Sequence, residues 1–386
     1  MISLPGQTKN ADGNRFAYLD AAIQRDIDDG NCFGGTIIVG RGGEIVHRRT
    51  YGTVAPGRPT ADDDIYLAMS TTKSFTAVLV LGAIDQGRFT LDTKIAELIP
   101  EFAFGGKQRV TVRHLLNHTG GAWGGLVPPP PLPITATGDL EQFVQGTCML
   151  PAAFTPGTRC VYSPLSGFAV LGQLLVLTDP LRRSFRDIAR EDLFEPLGMH
   201  DTQFGCPKDE PRRVMVSFTE KMTRPNSIIS ASLFNEFMAG DAEVPAGNAF
   251  TTIDDLFRFA EAVRRRGSAP STRLVSPSLF GYAAQNATGD MSSEVWDFYR
   301  EAFNLPDFPA NFTLLGGYVR DKGHYLNAAG YTASPSALTA VGAGSTMWMV
   351  DPERDLTVAF LSAGLIEGLA HLQRVAKIND LVLSAC

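Results

Sequence analysis

Ile65-Tyr-Leu-Ala-Met-Ser-Thr-Thr-Lys-Ser-Phe-Thr-Ala-Val78, continued by Leu-Val-Leu-Gly-Ala-Ile-Asp-Gln86, is the stretch on which the reading of this chain turns. From Ser74 to Gln86 the residues are apolar on nearly every face, which predicts a buried helix closed by Gly87 as its C-cap. Ser70 and Lys73 stand three apart at its entrance, so a helical backbone sets an amine beside a hydroxyl. A serine is a poor nucleophile and needs a base. A lysine serves as that base only when burial lowers its pKa. The positive end of the helix lies where an oxyanion would form. Ser-x-x-Lys alone is common on exposed helices. Its position at the mouth of so apolar a helix is what singles it out.

Outward from this segment the chain alternates in character. Phe16, Leu19, Ala22, Ile23 and Ile27 recur at helical spacing and predict an amphipathic helix from Phe16 to Asp28. Two short β-rich runs around Gly42-Gly43 predict a hairpin. Beyond Gly87, helices are expected from Val110 to Leu116 with Thr111 as N-cap, from Ser163 or Leu165 to Leu177, from Ser184 to Leu193, and from Thr252 to Arg265. Pro128 to Pro131 forbid helix and sheet and predict a stiff, exposed connection near a cleft rim. Val341 to Val350 and Leu356 to Leu361 read as two strands about Asp351-Pro-Glu-Arg-Asp, and Glu367 to Ser384 as a closing helix. The expectation is an α/β (α+β) chain. An antiparallel sheet with flanking helices comes from about 1–65 and 310–386, a mostly helical second lobe from about 66–309, in one domain spanning 1–386.

Composition narrows the function classes. With 386 residues, 44% hydrophobic and 19% charged, the chain can bury a large core without metals or disulfides. A net charge of −7 with dispersed basic residues disfavours a nucleic-acid or anionic-membrane surface. Five cysteines, none in CxxC spacing, predict free thiols rather than a disulfide framework or a zinc site. His114 and His118 lie four apart without an evident third ligand, and are read as structural. The opening residues lack the apolar run of a secretory signal and no transmembrane stretch is seen, so the expected location is cytoplasmic.

With these residues in view, the chain resembles the class C β-lactamase-like superfamily, which includes penicillin-binding peptidases, esterases and acyltransferases. The likeness runs from Gly35 to Gly364. It rests on the Ser70 segment, Gly87-Arg-Phe-Thr-Leu-Asp, Thr111-Val-Arg-His-Leu-Leu-Asn-His-Thr-Gly-Gly, Pro196-Leu-Gly-Met-His-Asp-Thr-Gln-Phe and Trp348-Met-Val-Asp-Pro-Glu-Arg-Asp-Leu, in that order. The resemblance implies a β-lactamase/transpeptidase-like fold and makes Tyr162, in Tyr162-Ser-Pro, the partner of Lys73, with Pro164 in place of the family's asparagine. Along Ala340-Val-Gly-Ala-Gly-Ser-Thr-Met-Trp it matches Gly342, puts Ala340 where the family carries a cation, and makes Ala343 N–H the oxyanion donor beside Ser70 N–H. Trp348, Trp123 and Tyr331 are candidates for an acyl pocket or for ordinary packing. Another cation such as Arg320 or Lys322 could replace the missing one. The function expected is ester cleavage through an acyl-enzyme on Ser70, with a small-molecule ester or acyl donor as partner and no cofactor. The alternatives are an acyltransferase acting on an alcohol, a β-lactam or D-peptide amide hydrolase, and a catalytically inert scaffold.

Overall fold

The computed structural model describes residues 15–222, 231, 233–269, 272–323, 327–366 and 368–386. Its centre is a seven-stranded antiparallel sheet in the order β3-β2-β1-β10-β9-β8-β7. The strands are β1 Gly34–Arg41, β2 Glu44–Ala55, β3 Arg58–Pro59, β7 Tyr318–Val319, β8 Leu338–Gly342, β9 Thr346–Asp351 and β10 Leu356–Ala363. A small sheet joins β4 Tyr66–Leu67, β6 Ala249–Thr251 and β5 Gln203–Phe204. The two ends of the sequence meet where β1 pairs with β10, from Gly34–Ala363 to Arg41–Leu356.

Both faces of the sheet are covered, which is why β1 and β10 are buried along almost their whole length rather than on alternate residues. Ile37, Val39, Met347, Met349, Val358 and Phe360 point to one core. There they meet helix α1 (Ala17–Asp28) through Leu19 and Ile23, and the C-terminal helix α4 (Gly368–Ala385) through Val375, Ile378 and Val382. Their in-between neighbours Ile38, Trp348, Val350, Ala359 and Leu361 point to the other core, the strand period of two carrying each residue across. Helix α3 (Ile253–Arg264) lies there, with Thr252 accepting the N–H of Asp255 as its N-cap. Helix α2 (Thr72–Asp85) is buried from Thr72 to Leu81, its Phe75 ring edge-on to Phe259 at 4.6 Å between centroids.

The structure corrects several sequence expectations. Val341 to Val350 is not one strand. It turns at Ala343-Gly-Ser345, where Gly344 and Ser345 take φ of 79° and 65°, so β8 and β9 form a hairpin. The 184–193 helix continues to Leu197 through a π turn at Arg190–Phe194. Leu140–Met149 is a further helix, with Asp139 as N-cap. Of the four prolines, Pro128 and Pro129 are buried, so the connection is only half exposed.

Gly342 marks the closest approach of the sheet to α2. A β-carbon there would fall 2.5 Å from Ala68 O and 2.8 Å from Met69 Cβ, and would collide with Thr346 Oγ1. The backbone atoms cannot yield, so β8 would have to move away from the turn that carries Ser70. Gly342→Ala is expected to lower the melting temperature, because the β-carbon meets backbone that cannot move without shifting β8. An unchanged melting temperature would contradict this.

Candidate active site

The turn that carries Ser70 is held from both sides. Ala68 N–H donates to Ala249 O at 2.8 Å, extending the β4–β6 pairing, and Thr346 Oγ1 of β9 donates to Ala68 O at 2.8 Å. Between these anchors and α2 the chain passes through Met69 at φ 52°, a left-handed conformation that costs a non-glycine residue about 1 kcal/mol or more. The Met69 side chain is buried, which fixes the strained turn. Ser70 follows in a single 3-10 turn that runs into α2, partly open to a cavity.

Ser70, Lys73 and Tyr162 converge. Tyr162 Oη lies 2.7 Å from Ser70 Oγ and Lys73 Nζ lies 3.3 Å from it. Lys73 Nζ also donates to Ala246 O at 2.8 Å. Its remaining surroundings are aromatic, the Tyr162 ring at 5.1 Å and the Phe168 ring at 5.6 Å. Among the described residues no carboxylate pairs with it. Desolvation therefore pulls the amine down to about 7, while burial pushes the Tyr162 phenol up to about 12, against the hydrogen bond to Ser70.

His114 and His118 serve separate structural ends. His114 Nδ1 accepts the Thr111 N–H and completes a capping box on the Val112–Leu116 helix. His118 Nδ1 accepts the Ser163 N–H at 3.2 Å, and its ring lies 4.6 Å from that of Tyr162. Burial, reinforced by Lys73, holds His118 far below the usual histidine range and keeps it uncharged beside the tyrosine.

A cavity of about 410 Å³ opens at Ser70. Ala343, Val341 and Met69 form one wall, and Leu126, Phe234 and Ile366 contribute elsewhere. Ala343, the first residue after β8, lines the cavity together with Ser70. Ala340 and Gly342 alternate to the opposite face of β8. Gly342 abuts Met69, and Ala340 is buried in the core, paired across the strands with Trp348. Trp348 is 1% exposed, packs edge-on to Phe259 and is not on the cavity wall, so its candidacy for the acyl pocket is corrected to packing. Its strand parity points it at α3. Trp123 and Tyr331 are likewise off the wall, and so are Arg320 and Lys322; Arg320 donates to Tyr331 O and Asp321 O instead. No lysine or arginine lines the cavity among the described residues. Tyr318 and His371 do line it, and the sequence pattern gave no sign of either. A larger hollow of about 760 Å³ near Leu98, Phe104 and Met149 contains no comparable nucleophile–base pair, so the chemistry and not the volume locates the site.

Comparison with known proteins gives the family. Residues 19–379 match the family described as Beta-lactamase. The chain belongs to that family. Within the family it is 28% identical over 326 residues to Penicillin-binding protein 4 of Amycolatopsis lactamdurans, covering 81% of this chain and 80% of that protein. It is 27% identical over 292 residues to Esterase EstB of Burkholderia gladioli, covering 66% and 72%. Among solved structures it is similar to EstCE1, described as a hydrolase with promiscuous acyltransferase activity, with a TM-score of 0.77 at 19% identity over 96% of this chain and 99% of the other. No described helix is long and apolar enough to cross a membrane.

A lysine buried without a counter-ion weakens the fold. Unfolded, Lys73 holds its proton up to the usual lysine value of about 10.5; folded, it releases it at about 7. The unfolded chain binds the extra proton between these values, so this residue's penalty is greatest below pH 7 and fades as pH rises through that window. Lys73→Met is expected to raise the melting temperature at pH 6, with the gain shrinking toward pH 10. A loss of stability at pH 6 would show that the amine's hydrogen bonds outweigh its desolvation.

Proposed function

We propose that the chain is a serine esterase working through an acyl-enzyme on Ser70. Family membership and the esterase and penicillin-binding relatives support serine hydrolase chemistry. The observation that carries the ester reading is the cavity wall, mostly apolar and without lysine or arginine among the described residues, beside a serine touched by both Lys73 and Tyr162.

The steps follow from the protonation states. At neutral pH about half of Lys73 is the free amine, and it accepts the Ser70 proton as Oγ adds to the ester carbonyl. The N–H groups of Ser70 and Ala343 donate to the oxygen that becomes negative. Tyr162 keeps its own proton at this pH. Its hydroxyl, in contact with Oγ, passes a proton to the departing alkoxide and regains one from the Lys73 ammonium. Water, deprotonated by the same pair, then adds to the acyl-enzyme, the acid leaves, and Ser70 recovers its proton. An alcohol in place of water yields a new ester, and the likeness to a hydrolase with promiscuous acyltransferase activity favours testing that second route.

Substrate charge sets the specificity. The carboxylate of a penicillin or of a peptide terminus would lose water on entering this cavity, at a cost of several kcal/mol without a cation. A neutral ester loses nothing comparable. The ratio of kcat/KM for nitrocefin to that for p-nitrophenyl butyrate is expected below one; a ratio above one would overturn the ester assignment in favour of a β-lactamase or peptidase.

The pH dependence follows from Lys73. Because the neutral amine is the active form, kcat/KM for the butyrate ester should rise about tenfold per pH unit below about 7 and level off above it. Lys73→Arg, which cannot shed its proton, should cost on the order of a hundredfold or more. A flat profile from pH 5 to 9 would remove Lys73 as the base.

A further inference from the structure

Among the polar wall groups that the mechanism leaves unused, His371 is held by a second side chain. His371, in the first turns of α4, is 7% exposed and lines the cavity together with Gly368 and Leu372. Its Nδ1 is 3.2 Å from Ser345 Oγ. Ser345 is fully buried in the β8–β9 turn at φ 65°, a strained conformation for a residue with a side chain. The same turn carries Ala343, and Gly344 N–H reaches Ile366 O just ahead of α4. The β8–β9 turn thus holds one nitrogen of an imidazole that belongs to the cavity wall. The nearest cation cannot neutralise a partner there, because the Arg374 guanidinium is spent on Asp26, Ser362 and Cys32. Burial, with Arg374 adding to it, holds His371 down at about 4, so the ring is neutral at working pH.

Building on the esterase reading, we propose that His371 Nε2–H hydrogen-bonds an uncharged acceptor oxygen of the substrate, so that the preferred substrate is a neutral ester carrying an ether or carbonyl oxygen on an otherwise apolar chain. With the Ser345 hydroxyl as the donor to Nδ1, the ring proton sits on Nε2. Filling the cavity with a purely hydrocarbon chain would strip water from Nε2–H and offer nothing in return. A site built around a buried donor discriminates strongly against a substrate that leaves the donor unpaired. The rest of the wall is apolar enough to accept the chain itself. His371 acts here as a specificity residue, away from the bond that breaks.

The test is an oxygen scan with the full-length protein. p-Nitrophenyl octanoate is compared with esters in which an ether oxygen replaces one methylene at successive positions from the γ carbon outward, each rate divided by its hydroxide-catalysed rate. One position is expected to give kcat/KM about fivefold to tenfold above the all-carbon ester. His371→Phe should erase that preference, bringing the best ether ester and octanoate to equal kcat/KM, and His371→Gln, which keeps an N–H donor, should retain part of it. If no ether position exceeds the all-carbon ester, or if His371→Phe keeps the preference, the assignment is wrong. Should His371→Phe not fold, the wild-type scan and His371→Gln still decide. Loss of octanoate turnover in Ser70→Ala tests the underlying esterase reading separately.

Discussion

Lys73 has its ammonium group inside the protein, with the hydroxyl of Ser70 and the carbonyl of Ala246 as its oxygen neighbours and aromatic rings around the rest. Burying such a charge without a carboxylate is costly, and the amine answers by giving up its proton near neutrality. Much of the surrounding structure can be read from this constraint. α2 must be apolar on all sides to keep water out. His118 must remain neutral, since a second cation would pull the amine's pKa lower still. Tyr162 must keep its proton, since a phenolate beside Lys73 would hold the lysine charged. The stability given up here is balanced by the two cores on either face of the sheet, where each buried Leu, Ile or Phe contributes about 2 kcal/mol.

The sheet does more than supply a core. Strand β8 lies so close to the Ser70 turn that only a glycine fits at 342, and Thr346 ties β9 to the carbonyl of Ala68. The turn between these strands presents Ala343 to the cavity, and Ser345 links that turn to α4. Pieces of sequence almost three hundred residues apart are thereby held in one rigid arrangement. For the proposed acyl transfer, which relies on aligned N–H groups, such a scaffold matters because the alignment is worth most when no reorganisation is left for the reaction itself.

Much of this was legible in the sequence where local pattern and chemistry coincide. The apolar run after Lys73 reads as a buried helix whatever the fold, and Ser-x-x-Lys at its mouth implies a buried amine. The Phe16–Asp28 helix, the Gly42-Gly43 hairpin and the cap at Thr111 follow from periodicity and side-chain chemistry. What escaped was set by long-range packing. The Ala343–Ser345 turn hides in a stretch of small residues that also suits a strand, and missing it obscures the parity of β9. That is why Trp348 read equally as pocket or packing although it faces α3. His371 and Tyr318 sit in an ordinary helix and a two-residue strand. Only the folded chain brings them to the cavity.

The central claim is that Ser70 forms a covalent acyl intermediate through its contact with Lys73. It is tested most directly by intact-protein mass spectrometry on acid-quenched mixtures with p-nitrophenyl butyrate, followed by peptide mapping. The account predicts a single butyryl adduct on the Ser70 peptide during turnover, absent from Ser70→Ala. Steady turnover with the adduct on another residue, or an unmodified Ser70 together with an active Ser70→Ala variant, would contradict it.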